Sequence, residues 1–241
     1  MKPTWVAVAL LACAGPPAAP APEIMAAAAI PDIDIASCPS DLAPAEWASR
    51  AVSVRVVLGP GVTVEQATDR LAIARTLWRR EGVSLQIDPR FGHTRSTAAF
   101  VAAGSDPFEW TAPIRGLIWE HATPARGGVV VVLMPTVLDP ASPIARSLDA
   151  LDGYTWMPGD DGAVAHAVNA PLDADPVVFA GVDAARRIPA SHPDTTLAHE
   201  LGHAFGLSHS GRVGGLMTPG SQACLPTLDA AERAVVLAGT P

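Results

Sequence analysis

The chain has 241 residues, enough for one well-buried domain built as two lobes. Its 16 basic and 24 acidic residues give a formal net charge of −8, and no arginine run exceeds a pair, which argues against duplex nucleic acid as a partner. Hydrophobic residues make up 49%, a share inflated by alanine yet sufficient for a globular core.

The N-terminus reads as an export signal. Lys2 precedes the apolar run Trp5 to Leu11, which is too short to span a bilayer. Leu10-Leu11-Ala12-Cys13 resembles a bacterial lipoprotein signal, in which Cys13 takes the lipid and residues 1–12 are removed. An ordinary secretory signal cut nearby after a small residue is the other reading. Three cysteines in an exported protein leave one unpaired. A lipid on Cys13 accounts for it and leaves Cys38 and Cys224 as one candidate bridge. Residues 13–36, with Pro16, Pro17, Pro20, Pro22 and Pro31 among alanines, read as a tether, so any membrane contact would run through the anchor alone. The folded domain is expected over 37–241.

Ala51 to Leu58 alternates as a strand and ends at Gly59-Pro60-Gly61. Thr63-Val64-Glu65-Gln66 has the form of a capping box. Val64, Ala67, Leu71, Ala74, Leu77 and Trp78 then recur at helical spacing through Arg80, and Gly82 closes the helix. Val83 to Ile87 reads as a second strand, and residues 89–126 as loops with at most a short helix. Gly127 to Met134 suits a strand buried on both faces. Ala163 to Val168 and Val177 to Val182 complete five strands. Strand, helix, strand at the start predicts a mostly parallel sheet with a right-handed crossover, an α/β or α+β fold with two principal helices ahead of the tail.

The chemistry is concentrated in His199-Glu200-Leu201-Gly202-His203-Ala204-Phe205-Gly206-Leu207-Ser208-His209. Asp194 is placed to cap a helix on which His199 and His203 lie one turn, about 6 Å, apart on a single face. Gly206 can take the left-handed conformation that ends the helix and brings His209 round as a third ligand. Three imidazoles leave a fourth position open, the arrangement of a catalytic rather than a structural zinc site. Glu200, one residue on, is the candidate base acting on a water held there.

This eleven-residue pattern resembles the defining motif of the metzincin zinc peptidases, which also carry a methionine turn beneath the metal. Gly214-Gly215-Leu216-Met217-Thr218-Pro219 resembles that turn, with Met217 eight residues after His209. That spacing, and Ser210 directly after His209, are most similar to the matrixin branch. Astacins and serralysins place a tyrosine two residues beyond the methionine, where this chain has Pro219. Asp161 to Pro171 is similar to the matrixin edge strand that pairs with substrate backbone, here through Ala163, Val164, Ala165 and His166. His93, His121 and His166 do not match the spacing of that branch's structural zinc and are assigned no metal. Cys38, in Ser-Cys-Pro-Ser-Asp, is faintly similar to a zinc-blocking cysteine, but a bridge to Cys224 is the preferred reading.

The resemblance implies a twisted five-stranded mixed sheet with a backing helix and an active-site helix in an upper lobe, 38–205. A small lower lobe, 206–241, would hold the methionine turn and a last helix near 227–238. It implies a monomeric zinc endopeptidase with one catalytic Zn2+, Glu200 as base, and a protein or peptide as substrate. Calcium is left unassigned. Hydrolysis of another amide, and a non-catalytic zinc-stabilised binding module, are the competing readings.

Overall fold

In this computed structural model the described residues are 25–26, 30, 50–103, 106–110, 114–118, 127–139, 152–158, 174–183, 192–219 and 224–239. Met25–Ala26 forms a two-residue strand, β1, within the stretch expected to be a tether. Arg50–Leu58 is β2, the strand about which the sheet is organised. Val52, Val54, Val56 and Leu58 face one core cluster and Val57 the other. Helix α1, Val64–Arg80, begins with the reciprocal capping box predicted for it. Gln66 N–H donates to the Thr63 hydroxyl at 3.1 Å, and Thr63 N–H donates to Gln66 Oε1 at 2.9 Å. Such a cap contributes about 1 kcal/mol. Gly82, at φ +89°, turns the chain into β3, Val83–Ile87.

Strand β3 runs parallel to the first half of β2, from Arg50↔Val83 to Val54↔Ile87. Pro89 lacks an N–H and interrupts the ladder. β4, Arg90–His93, then pairs with the last two residues of the same edge of β2, and β1 pairs antiparallel outside it. On the other side lies β7, Gly128–Met134, parallel to β2. β9, Val177–Gly181, runs parallel to β7, and β8, Gly153–Trp156, closes that end antiparallel to β9. The order is β1-β4-β2-β7-β9-β8, with β3 beside β2. A separate hairpin joins β5, Phe100–Ala103, to β6, Asp106–Trp110.

The expected strands at 51–58, 83–87, 127–134 and 177–182 are present within a residue of their predicted bounds. Ala163 to Val168 lies outside the described residues. The stretch 89–126 is not merely loops. It holds β4, the β5–β6 hairpin and a helical turn at 114–118. β8 was not foreseen either. These strands are four or five residues long, and all but β5 carry glycine or proline, so alternation has no room to declare itself.

The sheet is buried on both faces, with Val129, Val131 and Leu133 of β7 in one cluster and Val130, Val132 and Met134 in the other. The first face is covered by α1 and by α2, Thr196–Ala204. The second is covered by Ile114, Leu117 and Ile118 of the helical turn, with Val137 and Leu138. Trp78, fully buried, fixes α1 against α2. Its indole N–H donates to Ala198 O at 3.1 Å, and its ring meets Phe205 edge-on at 4.7 Å. Arg70 of α1, also buried, donates to Val182 O at 2.8 Å and pairs with Asp194 just ahead of α2. Burial holds this guanidinium below its usual pKa, against the pull of nearby carboxylates.

The last helix, α3, spans Ala230–Ala238 rather than starting near 227, because Asp229 is its cap and forms a second capping box with Glu232. Its buried residue is Val236, with Leu237 partly buried. The C-terminal segment is tied back by Glu81. That buried carboxylate accepts from Leu228 N–H at 3.3 Å and from Arg233 at 2.6 and 2.9 Å. No helix among the described residues is long and apolar enough to cross a membrane.

Candidate metal centre

Helix α2 carries His199, Glu200 and His203. Asp194 Oδ1 accepts from Thr196 N–H at 2.9 Å, capping the helix from one position further out than the N-cap residue Thr195. At the other end Gly206 adopts φ +90°. Gly206 N–H donates to His203 O at 2.9 Å and Leu207 N–H to Gly202 O at 3.0 Å. Those two bonds together form a Schellman ending, which reverses the chain and delivers His209.

The ligand-capable nitrogens of His199, His203 and His209 all lie within 4.8 Å of one another, and the ring centroids are 4.7–5.2 Å apart. Two of the rings are oriented from behind. His199 Nδ1 lies 2.7 Å from Leu216 O, and His203 Nδ1 lies 2.7 Å from Leu207 O. A carbonyl can only accept, so each Nδ1 carries the hydrogen and each Nε2 keeps its lone pair for a metal. Burial pushes the His199 pKa down to about 4, with the His203 and His209 charges adding to that and the Leu216 carbonyl opposing it. Burial lowers His203 as well. Both rings are therefore neutral and ready as donors at neutral pH. Three convergent, pre-oriented imidazoles fit zinc.

Beneath them runs the turn containing Met217, which is fully buried. Ser210 N–H donates to Met217 O at 2.9 Å and Leu216 N–H to Thr227 O at 3.0 Å, fixing the turn against the strand of chain that follows. Gly202 is what allows this approach. A Cβ there would fall on Met217 Sδ and lie 3.0 Å from its Cε.

Glu200 is buried at 8% exposure, and burial pushes its pKa up to about 7 although a hydrogen bond from Thr155 pulls it back. Thr155 Oγ1, on β8, lies 2.8 Å from Glu200 Oε2 and 2.8 Å from Glu200 O. Gly153 lies against the same carboxyl. Neither residue stood out in the sequence, since the role of a lone hydroxyl or glycine appears only once β8 is placed beside α2.

Among the described residues the three histidines are the one group able to share a metal, and Glu200 is not part of it. His93 ends β4 and belongs to no such group. Cys224 is disulfide-bonded. Cys13, Cys38, His121 and Ala163 to His166 lie outside the described residues.

No protein-family model matches the chain, and no curated protein matches it in sequence. Solved structures do match in shape. Metalloproteinase-II from Bacteroides fragilis is 16% identical, with a TM-score of 0.51 over 81% of this chain. The chain spans 55% of that protein's length. Archaemetzincin from Methanopyrus kandleri is 15% identical, with a TM-score of 0.46, covering 78% of this chain and 95% of its own. A zinc-dependent peptidase from Methanocorpusculum labreanum is 14% identical, with a TM-score of 0.43, covering 76% and 99%. The mixed α/β fold of this chain is thus similar to that of the Bacteroides fragilis metalloproteinase.

Proposed function

We propose that the chain is a zinc-dependent endopeptidase of the metzincin type. The observation that carries this is the convergence of three back-hydrogen-bonded imidazoles beside a buried carboxyl on the same helix. The structures it resembles in fold, metalloproteinase-II among them, are consistent with that chemistry. Ser210, the spacing of Met217 and the presence of Pro219 favour the matrixin-like branch.

His199, His203 and His209 would hold one Zn2+, which supplies a Lewis acid with an open coordination position. Glu200 accepts a proton from the attacking water and later hands it to the leaving amine nitrogen. A carboxyl with a pKa near neutrality suits both halves of that task. Leu216 O and Leu207 O keep His199 and His203 in one tautomer throughout. Ala163 to His166, similar to the matrixin edge strand, would pair with an extended peptide by main-chain hydrogen bonds. The substrate is a protein or peptide.

Purified protein is expected to bind about one zinc per chain and to degrade casein or gelatin, with a chelator abolishing turnover and zinc restoring it. Glu200→Ala should keep the zinc and lose at least about 100-fold in kcat, the scale of a general base. His203→Ala should lose the metal itself. Zinc binding without hydrolysis of any protein or peptide would leave the non-catalytic binding module as the reading.

A further inference from the structure

Two residues on one face of β8 are directed at Glu200. Side chains alternate along a strand, so positions 153 and 155 share a side. Tyr154 and Trp156 pack into the core cluster on the opposite side of the sheet. A Cβ at Gly153 would lie 2.5 Å from Glu200 Cγ, 2.6 Å from Oε1 and 2.8 Å from Cδ, so only glycine admits the carboxyl in its present place. The Thr155 hydroxyl lies 2.8 Å from both Oε2 and the main-chain O of Glu200. It has one proton to donate. Glu200 O already sits inside α2, where it serves the helical ladder, so the carboxylate oxygen has the stronger claim.

We infer that the Gly153–Thr155 face of β8 is a positioning seat that assigns separate tasks to the two oxygens of Glu200. Oε2 is anchored by Thr155. Oε1, against the bare backbone of Gly153, takes the proton from the attacking water and returns it to the leaving nitrogen. The inference rests on the peptidase reading for that proton transfer, but the seat itself is a property of β8 and α2. Thr155 is a positioning residue: its hydroxyl acts through Glu200. A glutamate side chain has three rotatable bonds, and a base that is not held must find its reactive orientation in each turnover.

The test compares Thr155→Val, nearly isosteric but without the donor, with Thr155→Ser. In zinc-loaded protein, Thr155→Val should lower kcat about 10- to 100-fold with KM within about twofold and zinc still one per chain. Thr155→Ser should recover most of that loss, and Gly153→Ala should reproduce it by crowding the carboxyl. A Thr155→Val protein that keeps the wild-type kcat, or in which Ser fails to restore it, overturns the seat. Should the wild type bind zinc yet cleave no peptide, the peptidase reading fails separately. The seat is then decided by carbon-13 NMR of the Glu200 carboxyl, assigned by its absence in Glu200→Gln. One sharp resonance is expected in the wild type and in Thr155→Ser, shifted or broadened in Thr155→Val. An unaltered signal in Thr155→Val overturns the inference whatever the activity.

Discussion

Glu200 and His199 sit one residue apart and are pushed in opposite directions by the same burial. The carboxyl rises from an ordinary 4.5 to about 7, while the imidazole falls from 6.5 to about 4. For the metal-free protein the two act against each other. The raised carboxyl is most favourable to folding below pH 4.5, and that contribution is lost as pH climbs to about 7. The depressed imidazole favours folding above 6.5, and its contribution is lost as pH falls towards 4. Removing the acid exposes the second trend. Glu200→Gln in the presence of chelator should be more stable than the wild type at pH 8, by at most about 3 kcal/mol. The gap should narrow steadily as pH drops from 7 to 4.5, and the variant should lose stability more steeply than the wild type over that range. Urea unfolding at a series of pH values reads both. Equal stabilities at pH 8 would mean the carboxyl is not held out of water as described.

At the scale of elements, Gly202 shows how packing can reverse a propensity. Replacing a helix-interior glycine by alanine ordinarily gains up to about 1 kcal/mol. Here the new methyl would meet Met217, and overpacking a close-fitted core costs about 1–3 kcal/mol. Packing wins, so Gly202→Ala should destabilise the protein and weaken zinc binding, since the ligand His203 directly follows Gly202. Trimming the obstacle should help: Gly202→Ala combined with Met217→Ala should lose less than the sum of the two singles by thermal unfolding. The same contact marks the limit of sequence reading. The positions of His199, His203, His209 and Gly206 were legible because fixed spacings on a helix and its ending dictate where those groups go, and Met217 through its resemblance to the metzincin methionine turn. The long elements were legible too: α1 through its cap and period, and β7 through its unbroken valines. Thr155, Gly153 and the Arg70–Asp194 pair were not, because each matters only through a neighbour dozens of residues away. β8, with the sequence Gly-Tyr-Thr-Trp, is too short to show a period at all.

At the scale of the whole molecule, the two ends of the chain carry the proposals about location and latency. If Cys13 takes a lipid, the protein should fractionate with membranes, and Cys13→Ser should release it or stop its maturation. Wild-type protein wholly soluble after export, with an unmodified N-terminus, would rule out the anchor. The bridge proposed between Cys38 and Cys224 makes a sharper test, because the competing role for Cys38 gives the opposite result. Cys224 lies just ahead of Leu225, which packs on the main core, and Leu228 is held by Glu81. The C-terminal segment is therefore already tied to α1 by Glu81 and to β2 by Arg50, which donates to Val236 O at 2.7 Å. A bridge would add to these ties by closing 186 residues of chain, worth about 5 kcal/mol on the chain-entropy account and less wherever the unfolded chain keeps structure. A thiolate that blocks the zinc would instead hold the enzyme silent. Under the bridge, Cys38→Ser should lower the unfolding temperature by several degrees and leave the specific activity of the folded fraction nearly unchanged. Under latency it should raise activity sharply at little cost in stability. The first outcome is expected, with Cys38 and Cys224 recovered as one linked peptide in non-reducing mapping. Cys38 found as a free thiol in active, exported protein would sink the bridge.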